Sequence, residues 1–112
     1  MRTYVLALDL QDDEALIKEY EAQHKKVWPE VLQSIRESGI QDMRIYRAGN
    51  RLMMLMEVDD SFSFESKAAA DSANAKVQAW EELMWKYQQR LPGSLPEEKW
   101  VLMEEIFSLK EQ

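Results

Sequence analysis

The 112-residue chain predicts a single α+β domain, with an antiparallel sheet carrying helices on one side in the order β-α-β-β-α-β. Two observations predict it. Strand-like stretches stand near both ends and as a pair in the middle, and two stretches of helical periodicity separate them. A chain of this length supports one compact core, so residues 1–112 are read as one domain.

Tyr4–Leu10 is the first strand, with Leu6, Leu8 and Leu10 on one face. Asp12 and Asp13 then supply capping oxygens and negative charge where a helix begins. From Glu14 to about Ser38, Leu16, Tyr20, His24, Val27, Val31 and Ile35 form one helical stripe, which Gly39 terminates. Pro29 lacks an N–H and suits the first turn of a new helix, so a break is expected between His24 and Trp28.

Two strands follow, Asp42–Arg47 and Leu52–Val58, joined through Ala48-Gly49-Asn50. Met43 and Ile45 face one way, Arg44 and Tyr46 the other. The run Leu52-Met53-Met54-Leu55-Met56 does not alternate and reads as a central strand covered on both faces. Phe62–Asp71 is expected as a short helix supported by three alanines, and Asn74 to about Gln89 as a stronger one carrying Val77, Trp80, Leu83, Met84 and Tyr87. Trp100–Phe107 completes the plan as a last strand. The order is that of ferredoxin-like domains. Apolar residues on both faces of the strands call for a second cover, and in so short a chain a second copy, a homodimer, is the economical one.

Composition narrows the function. A 46% hydrophobic content with four Trp, four Tyr and three Phe suits a folded core rather than a disordered chain. The net charge of −7 argues against nucleic acid as a partner. The absence of cysteine excludes disulfides, thiolate metal sites and thiol nucleophiles. No apolar stretch approaches the roughly 20 residues that cross a bilayer, and Met1-Arg2-Thr3 leads straight into strand-like sequence. No membrane association and a cytoplasmic setting are therefore expected.

The sole histidine, His24, lies on the apolar stripe one turn after Tyr20 and one turn before Trp28. Taken alone, such a histidine is a core residue satisfied by a hydrogen bond; its neighbours make instead a polar-tipped aromatic wall, suited to a sugar pocket. Tyr46 reads equally as a core aromatic with a satisfied hydroxyl, Trp80 as core packing, and Glu57 as an inward carboxylate at a strand end. One His with scattered carboxylates gives no metal site, and the three glycines read as caps or turns rather than a phosphate loop.

The segment Tyr20-Glu21-Ala22-Gln23-His24-Lys25-Lys26-Val27-Trp28-Pro29-Glu30 resembles the Tyr-x-x-x-His-x-x-x-Trp-Pro-Glu motif of the L-rhamnose mutarotase family. Gly39, Ile45-Tyr46, Met56-Glu57-Val58 and the Trp80 helix follow in the family's order, so the resemblance spans essentially the whole chain. It implies a dimeric ferredoxin-like α/β barrel that interconverts pyranose anomers without a cofactor. It further implies His24 as proton donor, with Tyr20 and Tyr46 as sugar-binding groups and Trp80 opening a paired-tryptophan site. Here Glu81 follows Trp80 where the second Trp is expected, and the resemblance is closer to a subgroup that includes L-fucose mutarotases. Mutarotation needs proton delivery to the ring oxygen and removal from the anomeric hydroxyl, and histidine exchanges protons near neutral pH. Glu57 is a candidate to orient the imidazole or accept a proton. The competing reading is a small monooxygenase or haem-handling protein of the same fold, with His24 as an axial ligand. A pure interaction module is the third.

Overall fold

The computed structural model, which describes residues 2–95 and 98–112, orders the chain as two helix pairs against one face of an antiparallel sheet. Strand β1 (Arg2–Leu10) leads into helix α1 (Glu14–Gln23), whose N-cap Asp13 accepts a hydrogen bond from the Leu16 N–H at 3.1 Å. Helix α2 (Pro29–Glu37) starts on Pro29, with Trp28 in extended conformation before it. The expected break therefore falls at residues 24–28, and proline's missing N–H is tolerated there because a first-turn N–H has no intrahelical partner.

Gly39 closes α2 at φ +97°, and its carbonyl accepts from the Asp59 N–H at 2.9 Å. A Cβ here would stand 2.5 Å from Asp59 Oδ1 and 2.8 Å from Ser61 Oγ. Strands β2 (Ile40–Ala48) and β3 (Arg51–Val58) form the expected hairpin, each longer than the sequence pattern indicated. Helix α3 (Phe64–Ser72) begins after its cap Ser63, and Phe62 turns into the core rather than starting the helix. Helix α4 (Ala75–Trp85) is capped by Asn74, which accepts from the Lys76 and Val77 N–H groups.

Two expectations about the C-terminal third are corrected. The helix expected to reach Gln89 ends at Trp85, and Gln88–Gln89 form a short strand, β4, on the free edge of β1 opposite Leu10 and Asp9. Edge pairing satisfies backbone groups that further helix would leave without partners. The strand expected over Trp100–Phe107 is reduced to β5 (Val101–Leu102), paired with Ala7 and Leu6, plus one bond from Met103 N–H to the Val5 carbonyl. Beyond it Ile106, Phe107 and Leu109 lie exposed.

The sheet runs β2-β3-β1-β4, with β5 also on β1. Within the chain it is open and does not close into a barrel. Leu6, Leu8 and Leu10 face the helices together with Leu52, Met54, Met56, Met43 and Ile45, as strand alternation requires. Their cover comes from Tyr20, Val31, Trp80, Met84 and Tyr87 at one end and from Phe62 at the other, where Ile40 and Val58 of the sheet join the cluster. The opposite face carries no helices and is open over β2 and β3, whereas Ala7 and Asp9 of β1 are buried there. Tyr46, Met53, Ala7 and Val101 form a row across four strands there, with Tyr46 48% and Met53 36% exposed. The expectation that β3 is covered on both faces thus fails within one chain. Among the described residues no helix is long and apolar enough to cross a membrane.

Candidate functional site

Between the helices and the covered face of the sheet lies a cavity of about 770 Å³, within the range usual for small-ligand sites. Apolar side chains line most of it, among them Val31, Ile35, Met43, Met54, Val77 and Met84. Tyr20, His24, Trp80, Glu81, Gln88 and Lys99 bring an aromatic wall and polar groups to it.

His24 owes its place to the break that Pro29 imposes. It forms the C-cap of α1, where the chain leaves the helix, and its half-buried ring reaches the cavity. Nδ1 lies 2.9 Å from the Tyr20 carbonyl oxygen, which only accepts, so Nδ1 carries the proton in that bond. This fixes the neutral tautomer and leaves Nε2 for exchange with a ligand. The ring is held between Tyr20 (centroids 4.3 Å) and Trp80 (5.6 Å, edge-on). Trp28 packs edge-on to Trp80 at 5.2 Å, supporting it from behind rather than lining the cavity.

Tyr20 is buried, and burial pushes its hydroxyl above the usual phenol value, opposed by the side-chain hydrogen bond from Gln88. It therefore stays protonated and able to donate at neutral pH. Glu81, half-buried on the next position after Trp80, lies in the field of Lys99. Burial lowers the Lys99 ammonium, and the Glu81 charge works against that shift. Lys99 also lies 5.0 Å from the Trp85 ring centre.

Of the residues singled out in the sequence, the structure brings Tyr20, His24, Trp80 and Glu81 to one cavity, with Trp28 against it. It does not bring Tyr46 or Glu57 there. Both sit on the opposite face of the sheet, Tyr46 beside Met53 and Glu57 beside Thr3 and Asp42, with Glu57 3.8 Å from Arg44. The reason is the period-two alternation of strands: Met43 and Ile45 face the helices, so Tyr46 points away and Met43 lines the cavity instead. Glu57, between buried Met56 and Val58, is out of phase in the same way. Gln88 and Lys99 are additions that periodicity did not single out. Gln88 enters only because the chain turns after α4, and Lys99 only because β5 returns to β1. Among the described residues no group of His, Cys, Asp and Glu is placed to hold a metal ion.

The architecture recurs in solved proteins. An L-rhamnose mutarotase from Formosa agariphila superposes with a TM-score of 0.71 at 20% identity, covering 97% of this chain and 99% of that one. A tetracenomycin F2 cyclase from Streptomyces glaucescens follows at 0.64 and 17%, covering 96% of both. At such identities the likeness shows the fold alone, and it defines the class: an α+β ferredoxin-like domain, a fold that hosts unlike chemistries. Sequence is more specific. A family model for L-rhamnose mutarotase matches residues 3–109, and the chain belongs to that family of isomerases. An L-fucose mutarotase from Xanthomonas campestris pv. campestris is 47% identical, over 99% of this chain and 90% of its own length. The oxidative and haem-handling alternative is not favoured by these matches.

Proposed function

We propose that the cavity binds L-fucose or L-rhamnose and interconverts its anomers by ring opening and closure, with His24 as the proton-exchanging residue. In the forward step a proton reaches the ring oxygen and the anomeric hydroxyl loses one. The bond from C1 to the ring oxygen breaks, and the aldehyde forms. Rotation about C1–C2 presents its other face, and the reverse transfers close the ring on the opposite anomer. No net proton is consumed, and no redox partner is required.

The observation that carries this reading is the setting of His24: Nδ1 committed to the Tyr20 carbonyl, Nε2 without a hydrogen-bond partner among the described residues, the ring among Tyr20 and Trp80 at the cavity. Tyr20 supplies a hydroxyl to orient the sugar, and Trp80 an aromatic face for its C–H surface. With Glu57 on the far face, Glu81 is the carboxylate we assign to the anomeric end. L-fucose is the favoured sugar, because Glu81 stands at the expected second tryptophan and the 47% identical relative is named for L-fucose. The reading includes a cytoplasmic setting and a homodimer. The dimer is supported by exposed Tyr46 and Met53, side by side on the outer sheet face, and by the exposed Ile106, Phe107 and Leu109.

Saturation-transfer NMR between the two anomeric protons tests the function. Catalysed exchange is expected for L-fucose, and a slower one for L-rhamnose. Exchange no faster than in buffer for both sugars removes the mutarotase reading.

A further inference from the structure

Resting on the mutarotase reading, we infer that Gln88 is a specificity-determining residue: its side-chain oxygen receives one non-anomeric hydroxyl of the sugar, paired with a donated bond from Tyr20. Gln88 is 4% exposed and lines the cavity. Its Oε1 is the one buried side-chain polar atom without a hydrogen-bond partner among the described residues. Buried polar atoms in folded proteins are paired as a rule, so this oxygen calls for a donor that the described chain does not supply.

The contact with Tyr20 points to the chemistry of that donor. Nε2 of Gln88 donates to the Tyr20 hydroxyl oxygen at 3.5 Å. A phenol that accepts there directs its own O–H elsewhere, and burial keeps Tyr20 in the protonated form. Gln88 and Tyr20 thus present an acceptor and a donor side by side. A hydroxyl group complements both, since it donates one hydrogen bond and accepts others. A carboxylate or a carbonyl complements only the Tyr20 half and leaves Oε1 unpaired. Backbone pairing holds the arrangement rigid: Gln88 is opposite Leu10 in the β4–β1 ladder, and the Tyr87 carbonyl accepts from the Gln11 N–H at 2.8 Å. A rigid acceptor discriminates by hydroxyl position, because a sugar lacking that hydroxyl leaves the oxygen buried and unpaired.

The test compares wild type with Gln88→Met, similar in length and unable to hydrogen-bond through an amide, on the parent 6-deoxy-hexose and its 2-, 3- and 4-deoxy analogues. Anomer exchange is read by NMR as kcat and KM separately. For wild type, one analogue is expected to fall about 10- to 100-fold in kcat/KM relative to the parent. Gln88→Met is expected to lose a similar factor on the parent and on the other two analogues, and nothing further on that one. An equal loss on all four sugars makes Gln88 a support for Tyr20 alone and overturns the assignment. So does a wild type that handles all three analogues within about 2-fold of the parent, a result independent of whether the variant folds. No catalysed exchange of the parent by wild type overturns the mutarotase reading itself, and the assignment with it.

Discussion

Replacing His24 separates proton exchange from anchoring, because the two ring nitrogens have different duties. Asparagine places its amide N–H near the position of Nδ1 and retains the bond to the Tyr20 carbonyl, 2.9 Å long in the structure, while nothing replaces Nε2. That anchoring bond is worth about 1 kcal/mol and is kept. The half-buried ring also gives up part of its contact with Tyr20 and Trp80, which costs roughly 1 kcal/mol. His24→Asn should therefore lower Tm by only about 5 °C. Loss of general acid–base catalysis is of another size, about 10² to 10⁴-fold in kcat, or roughly 3 to 5 kcal/mol in the barrier. Thermal unfolding with L-fucose anomer exchange at saturating sugar reads both quantities on one sample. A variant that folds and keeps kcat within about 3-fold of wild type refutes the assignment of the proton to Nε2.

Three other outcomes follow from the structure. Gly39→Ala meets both a positive φ and the Asp59–Ser61 turn, so it should cost about 2 to 3 kcal/mol and roughly 10 °C in Tm; a drop under about 2 °C contradicts the crowding. Met53→Glu sets a charge beside exposed Tyr46 on the outer sheet face and should convert a dimer to monomers in sedimentation velocity, while a wild type that is monomeric at the same concentration removes the homodimer. Lys99 is held below its usual 10.5 by burial, so the unfolded chain binds its proton more tightly and stability rises as pH climbs from the folded value toward 10.5. Lys99→Met should then be slightly more stable than wild type at neutral pH, by under about 1 kcal/mol given solvent screening, and the advantage should close near pH 10.5 in Tm profiles.

Local patterns in the sequence determined a great deal. Apolar alternation placed β1 and β2, an unbroken apolar run placed β3, and helical spacing with its proline set the break that delivers His24, Tyr20 and Trp28 to one region. These features depend on neighbours a few residues apart, where periodicity and the chemistry of proline and glycine decide the backbone. The phase of β2 was legible too, since Met43 and Ile45 versus Arg44 and Tyr46 is the split observed. Which side of that split meets His24 was not, because a strand's faces carry no label until the helices pack on one of them. Tyr46 and Glu57 went to the outer face for that reason. Likewise the free edge of β1, not any local signal, converts the end of an expected helix into β4 and turns Gln88 inward beneath Tyr20. Propensity acts over one or two turns of chain, whereas the demand of an open sheet edge for hydrogen bonds joins residues some 80 positions apart only once the sheet exists.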